Sequence, residues 1–146
     1  MTKLLLVISV ALILVSGRAA ADDILVIASP SVTVNALDPE QIAAIYLLRL
    51  TNWPDGIHIV PVNREAASEI RAEFTSRVLR QDNASLATYW NEMHFMGKMP
   101  PVVQQSESAM LAFVRRVPGA IGYVSAATVP SGVKVLARIA DTERSK

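Results

Sequence analysis

The amino-acid sequence predicts an α/β sandwich, because short apolar segments with strand character alternate along the chain with amphipathic helical segments. The chain has 146 residues and contains no cysteine, no internal repeat and no low-complexity linker. About 125 residues follow the N-terminal apolar segment, which is enough for one domain with its own core. We therefore expect a single domain that is held together by its core, without disulfides.

The N-terminal 21 residues have the three-part pattern of a secretory signal peptide. Lys3 supplies the positive start, residues 4–15 are apolar, and alanines at positions 19–21 form a small-residue cleavage site. The apolar run is shorter than the ~20 residues that a transmembrane helix needs, and an uncleaved anchor is the alternative. We expect cleavage before Asp22 and export to the periplasm without a lipid anchor, since there is no cysteine to carry one.

Removal of the signal peptide changes the charge of the chain. Without Lys3 and Arg18, 12 of the 14 basic residues remain beside 13 acidic ones, so the mature charge is −1. Nucleic-acid binding requires a basic surface. The mature domain, which we assign to residues 22–146 with a polar tail from about residue 140, is therefore not expected to bind nucleic acid.

The first half of the mature chain predicts a strand, a helix and a second strand. Residues 24–28 are continuously apolar, as expected for a strand that is buried on both faces. Asp38, Pro39 and Gln41 form a helix start, and the helix is expected to run to about Arg49. A Trp-Pro-Asp-Gly turn at 53–56 precedes apolar residues at 57, 59 and 62, which predict the second strand.

The second half predicts three more helices and two more strands. Apolar residues at helical spacing predict helices over residues 64–80, from Asp82 or Asn83 to a Gly-Pro break at 97–101, and from Ser106 to the Pro-Gly at 118–119. Apolar runs at 120–124 and 133–137 predict the last two strands.

The sequence contains no pattern that is typical of an enzyme or a metal site. His58 and His94 are the only histidines, and they fall in different predicted elements without a partner at metal-ligand spacing. There is no Gly-x-Ser-x-Gly nucleophile elbow, and no zinc or dinucleotide motif. The aromatic residues Trp53, Tyr89 and Trp90 are expected in the core. We therefore predict no catalytic activity, no metal and no cofactor.

One segment is suited to hold an anion. Arg64 follows a predicted strand and opens a predicted helix, and Ser68 lies one turn further along the same face. Helix N-terminal amides, a forked guanidinium and a hydroxyl can together bind an oxyanion. The alternative is a solvent-facing Arg64 that pairs with Glu65, and the residues alone leave both interpretations open.

Six segments follow one another in a recognisable order and spacing: ILVIAS, LDPEQIAAIYLLRLTNWPDG, VPVNREAASEIRAEF, YWNEMHFMGKMPP, SESAMLAFVRRVPG and AIGYVS. Over residues 24–124 they resemble the substrate-binding proteins of phosphate ABC transporters, the periplasmic phosphate-binding superfamily. The third segment corresponds to the family's loop and helix with the pattern Arg-x-x-x-Ser-Gly-Thr. Arg64 matches the arginine and Ser68 the serine, whereas Glu69 and Ile70 replace the glycine and the threonine.

The resemblance implies a fold, a ligand and a partner. The implied fold is an α/β, single-lobe, periplasmic-binding-protein-like (type II) three-layer sandwich with a small mixed sheet and about four helices. The implied ligand is a small oxyanion such as phosphate, bound by Arg64, Ser68, Asn63 and Ser29 and passed to an ABC transporter permease or another periplasmic partner.

The chain matches only one of the family's two lobes, so the resemblance also implies a homodimer or docking on another protein. The alternative function is a protein-interaction or regulatory module that has kept the lobe and lost the ligand. The replacement of glycine and threonine by Glu69 and Ile70 favours this alternative.

Overall fold

A computed structural model describes residues 23–141 of the chain. The predicted signal peptide and the end of the predicted polar tail lie outside these residues. Five strands and four α-helices are present within the described range, in the chain order β1 Ile24–Ala28, α1 Pro39–Tyr46, β2 Val60–Arg64, α2 Glu69–Phe74, α3 Asn83–Phe95, β3 Val102–Gln104, α4 Glu107–Arg116, β4 Ala120–Ser125 and β5 Lys134–Ile139.

The strands form one mixed sheet with the order β3-β2-β4-β1-β5. Strand β2 runs parallel to both β3 and β4, whereas β1 runs antiparallel to β4 and β5. The carboxyl ends of β2, β3 and β4 therefore meet at one end of the sheet, together with the start of β1. Loops at the carboxyl ends of parallel strands are where ligands bind in open α/β sheets.

Helices cover both faces of this sheet, which gives the predicted three-layer sandwich. Alternate residues of β1 point to opposite faces. On one face Ile24 and Val26 belong to a cluster with side chains of α1 and α2, and on the other Leu25 and Ile27 belong to a cluster with side chains of α4. The predicted α/β class, the mixed sheet and the number of helices are thus confirmed.

Side chains cap the helices where the sequence predicts helix starts. Asp38 and Gln41 form a reciprocal capping box at α1, with Asp38 Oδ1 accepting from the Gln41 amide at 2.7 Å. Asp82 caps α3 through the Ser85 amide at 2.7 Å, and Ser106 caps α4. Helix α1 ends at Tyr46 rather than near Arg49, because Leu48 has a φ of +57° that cannot continue a right-handed helix.

The second strand and the second helix begin later than the sequence predicts. Residues 57–59 follow the turn and pair back on the segment before it, with the Trp53 amide donating to the Ile57 carbonyl at 2.8 Å and His58 bridging to Asn52, so β2 starts at Val60. Arg64 ends β2 opposite Gln104 instead of opening a helix, and α2 begins at Glu69 with Ser68 as its cap. Helix α2 then continues as a π-helical turn over Thr75–Leu79.

Two expectations about the second half of the chain were wrong. Strand β3 was not predicted, since it has only three residues and no alternating pattern of its own. The aromatic residues Tyr89 and Trp90 of α3 are only half-buried, and Met93 is the buried residue of that helix. Trp53, by contrast, is in the core as predicted, and its Nε1 donates to the Gly119 carbonyl at 3.0 Å.

Three buried aromatic rings connect α1, α2 and β4. The rings of Phe74 and Tyr123 stack with their centroids 4.0 Å apart and their planes 2° apart, and Tyr46 meets Phe74 edge-on at 4.7 Å. The Tyr46 hydroxyl donates to the Val62 carbonyl at 2.9 Å and lies 3.3 Å from the Ile121 carbonyl. Because each hydroxyl finds a partner, the rings can be buried without the cost of an unsatisfied polar group.

No helix within residues 23–141 is long and apolar enough to cross a membrane.

Replacement of Gly119 by alanine is expected to destabilise the fold by roughly 2–4 kcal/mol, because backbone strain adds to a steric clash. Gly119 has a φ of +76°, and a Cβ atom there would lie 2.2 Å from the His58 carbonyl oxygen. Gly56→Ala is the matched control, since Gly56 has a φ of +88° but no atom within 4 Å of the Cβ position. The control is expected to cost only about 1–2 kcal/mol of backbone strain. Urea denaturation measures the free energy of unfolding of both variants, and equal losses of stability in the two would contradict the steric clash at position 119.

Candidate functional site

The candidate site lies at the corner where β2 leads into α2. Residues 65–68 form the connecting turn, and β4 and the start of α4 reach the same end of the sheet. Three of the four sequence-predicted residues, Asn63, Arg64 and Ser68, come together at this corner.

The backbone of Arg64 is held from three directions. Its amide donates to Asn63 Oδ1 at 3.1 Å and lies 3.3 Å from the Tyr123 hydroxyl oxygen, and its carbonyl accepts from Arg71 Nη1 at 2.7 Å. The residue is 8% exposed. A long cationic side chain thus starts from a rigid, buried strand end, which reduces the conformational freedom that it would lose on binding a ligand.

The guanidinium of Arg64 forms a forked ion pair with the neighbouring Glu65. Nε donates to Oε2 at 2.8 Å, and Nη2 donates to Oε1 at 3.0 Å. The hydrogen bond to Glu65 raises the pKa of Arg64, and the same bond lowers the pKa of Glu65 below its usual value. The side chain of Glu65 is 27% exposed, against 10% for Arg64, so the carboxylate lies on the solvent side of the pair. The predicted alternative of an Arg64–Glu65 pair is therefore present, with Arg64 buried rather than solvent-facing.

Ser68 acts as the cap of α2. Its Oγ accepts from the Arg71 amide at 3.1 Å, which leaves the hydroxyl proton as a donor. Glu69, the first residue of the helix, is exposed, whereas Ile70 is half-buried and packs against the core cluster of α1 and α2. The residue at position 70 therefore serves the core, where a threonine would offer a hydroxyl.

Asn63 links the corner to the core. Its Oδ1 accepts from both the Arg64 amide and the Tyr123 hydroxyl, so its amide nitrogen remains as a donor. Burial raises the pKa of Tyr123 to about 12, and the hydroxyl therefore stays protonated at neutral pH.

Ser29 is not brought to this corner. Its amide donates to the Ala120 carbonyl at 2.9 Å, and its hydroxyl lies 3.0 Å from that of Ser31. Ala120 opens β4 and pairs with Val60 at the start of β2, so Ser29 lies at the opposite end of the sheet from Arg64. The length of β2 separates them by about 13 Å, since a strand rises ~3.3 Å per residue. Ser29 lies there because β1 runs antiparallel to β4, so that the chain leaves β1 at the end of the sheet where β4 begins.

Sequence reasoning missed Arg71, Tyr123 and Glu107 as parts of the corner. Glu107, in the first turn of α4, accepts from the Ser125 amide at 2.7 Å and from the Thr128 hydroxyl, and its charge adds to the raised pKa of Arg64. Arg71 lies seven residues beyond Arg64 on α2 and has no motif of its own, and Tyr123 sits in an apolar strand that predicts only a core residue.

A depression of about 550 Å³ lies beside α2, and neither Arg64 nor Ser68 lines it. Its walls include four carboxylates and one arginine, Arg77, so the lining is negative in sum and disfavours an anion there. The carboxylates belong to Asp23, Glu69, Glu73 and Asp141. Among residues 23–141 no group of three or more histidine, cysteine, aspartate or glutamate side chains is arranged to hold a metal ion. His58 and His94 are both exposed and lie in separate elements.

Known proteins share this fold. The sequence model of the PBP superfamily domain matches residues 14–142. An ABC-type phosphate transport receptor from Vibrio cholerae has 24% sequence identity and a TM-score of 0.63, over 79% of this chain and 45% of that one. A Clostridium perfringens protein described as a phosphate ABC transporter substrate-binding protein, solved with bound phosphate, has 25% identity and a TM-score of 0.65, over 79% and 44%.

These matches confirm the resemblance and the periplasmic-binding-protein-like fold that the sequence predicts. The chain spans less than half the length of the two solved proteins that it matches.

The buried tyrosines predict a loss of stability at alkaline pH. Burial raises the pKa of Tyr123 to about 12 and raises that of Tyr46 well above its usual value. Because tyrosine in an unfolded chain has a pKa of about 10, the stabilisation is complete below that pH and is lost as the pH rises towards the folded values.

We therefore expect the urea midpoint to fall between about pH 10 and pH 12, and to fall less in a variant that carries Tyr46→Phe and Tyr123→Phe. The variant is less stable at neutral pH, so the slope with pH is the relevant quantity. Equal slopes in the variant and the parent protein would show that these hydroxyls do not control alkaline stability.

Proposed function

Because the chain belongs to the PBP superfamily, we propose that it acts as a single-lobe solute-binding domain that holds a phosphate-like oxyanion at the β2–α2 corner. The observation that carries this proposal is the forked contact of Arg64 with the Glu65 carboxylate. A carboxylate presents two oxygens to the guanidinium as a phosphate does. Glu65 therefore stands in the position that an external oxyanion would take.

Three groups of the corner offer donors to such an anion. They are the Nε and Nη2 atoms of Arg64, the hydroxyl of Ser68, whose oxygen already caps α2, and the amide nitrogen of Asn63, whose oxygen is already occupied. We leave Ser29 out of the proposed site because of its distance. Arg71, whose Nη1 binds the Arg64 carbonyl, adds a second positive charge next to the site.

Two carboxylates set the strength of binding. Glu65 must leave Arg64 before an oxyanion can bind, and Glu69 stands at the start of α2 where an anion would otherwise meet only amides. Negative charges near a bound anion weaken its binding by repulsion. We infer modest affinity, which suits a domain that hands a solute to an ABC transporter permease in the periplasm rather than storing it.

The second candidate function is a protein-interaction module without a ligand. Two observations favour it: Arg64 already has an internal anion, and a group of large apolar side chains at the end of α3 and on β3 is exposed. Anion titration separates the two candidates, because an interaction module binds no oxyanion even when Glu65 is neutralised.

Titration calorimetry with phosphate and with sulfate tests the proposed site. We expect Arg64→Ala to weaken binding by about ten- to hundredfold, since hydrogen bonds to a charged group contribute roughly 1.5–3 kcal/mol. Glu65→Gln is expected to strengthen binding by roughly two- to fivefold, because it removes the charge that competes for Arg64 while keeping the shape of the side chain.

Arg116→Ala is the matched control, since Arg116 is an exposed arginine in the last turn of α4, towards the opposite end of the sheet. It removes the same charge and is expected to leave affinity unchanged. Absence of binding at millimolar phosphate and sulfate in both the parent protein and Glu65→Gln would exclude the oxyanion function and favour the interaction module.

A further inference from the structure

Five apolar side chains are exposed between the end of α3 and the edge strand β3, and we call this group the β3 apolar patch. Phe95 is 90% exposed, and Met96 and Met99 are more than 60% exposed. Val102 and Val103 on β3 are 46% and 42% exposed. Scattered exposed apolar residues are normal on a protein surface, whereas the largest apolar group on a protein is often functional.

The two edges of the sheet are protected differently. Strand β5 forms one edge and carries the basic residues Lys134 and Arg138, which discourage pairing with another strand. Strand β3 forms the other edge, and its three residues are Val102, Val103 and Gln104, without a charge. The edge without a charge, which is only three residues long, is the one beside the exposed apolar side chains.

The area of the patch fits half of a standard interface. From the exposed fractions and typical side-chain areas, the five side chains offer on the order of 500 Å² of apolar surface. A standard interface buries ~800 Å² per partner, of which about 60% is apolar, so it needs a similar apolar area from each side.

A groove of about 370 Å³ lies next to the patch, so that an apolar projection and an apolar hollow occur on one surface. Leu48, Leu50, Pro61 and Pro101 are among the residues that line it, together with Met99 and Val102 of the patch. A two-fold axis pairs the same patch of both copies, so that the projection of each copy faces the hollow of the other.

We propose that the β3 apolar patch is the interface of a two-fold symmetric homodimer. The free edges of the two β3 strands pair antiparallel, as a two-fold axis across the strands requires, and Phe95 of each copy enters the groove of the other. This inference rests on the exposed surface and the edge strand, and it is independent of oxyanion binding at Arg64.

Sedimentation equilibrium tests the dimer on protein recovered from cells that express the full chain. The protein concentration is about 100 µM, because interfaces of this size have dissociation constants in the micromolar range or below. We expect a dimer for the parent protein and a monomer for Val103→Lys, since a charge on an edge strand opposes pairing. Val135→Lys is the matched control, because Val135 is also 42% exposed but lies on β5. It is expected to stay dimeric.

Phe95→Ala separates dimer formation from folding. Since Phe95 is 90% exposed, its truncation removes little buried surface from the single copy, and thermal unfolding of the monomer is expected to be unchanged. The dissociation constant of the dimer is expected to rise at least tenfold, as for aromatic side chains at the centre of an interface.

Cross-linking locates the interface in a chain that has no cysteine of its own. The variants Val102→Cys and Val103→Cys are oxidised separately and as a mixture, and at least one of these samples is expected to give a covalent dimer. The reason is that facing residues of antiparallel strands have Cα atoms ~4.5–5.5 Å apart, which is within disulfide range. Val135→Cys is expected to give none.

The results that would overturn the proposal are specific. If the parent protein is monomeric at this concentration, the dimer is excluded. The same holds if the monomer binds lipid vesicles or another protein through the patch. A dimer that survives both Val103→Lys and Phe95→Ala, or that cross-links through position 135 alone, uses another surface.

Discussion

The contact on which the rest of the structure depends is the stack of Phe74 on Tyr123 at the centre of the domain. The ring of Tyr123 joins β4 to α2, and its hydroxyl donates to Asn63 Oδ1 and lies 3.3 Å from the Arg64 amide nitrogen. The same side chain therefore packs the core and positions the candidate site. If this ring moved, the end of β2 would lose its support, and Arg64 with it.

In the proposed function, an external oxyanion competes with the internal Glu65 carboxylate for Arg64. Glu65 is adjacent to Arg64 in the chain, and a group tethered so closely acts at an effective concentration of millimolar or more. Under the proposal, the oxyanion gains over Glu65 by also using the Ser68 hydroxyl and the Asn63 amide as donors. The proposed site is then occupied or internally neutralised according to the solute concentration.

The chain matches less than half of the solved proteins with which it shares the fold. Among the described residues, the β3 edge and the loop after α3 carry exposed apolar side chains. In the proposed dimer a second copy at the β3 apolar patch buries that surface and lies beside the end of β2, because β3 pairs with residues 62–64.

The sequence by itself determined the α/β class and the elements with strong local signals: the buried strand β1, the capped helices α1 and α4, and strand β4. It also singled out Arg64 and Ser68. Local pattern is enough for these because capping and apolar periodicity act between residues that are close in the chain. Only the tertiary structure decided where β2 ends, that β3 exists, and that Ser29 lies away from Arg64. Those features depend on strand pairing and strand direction, which join residues far apart in sequence and leave no local pattern.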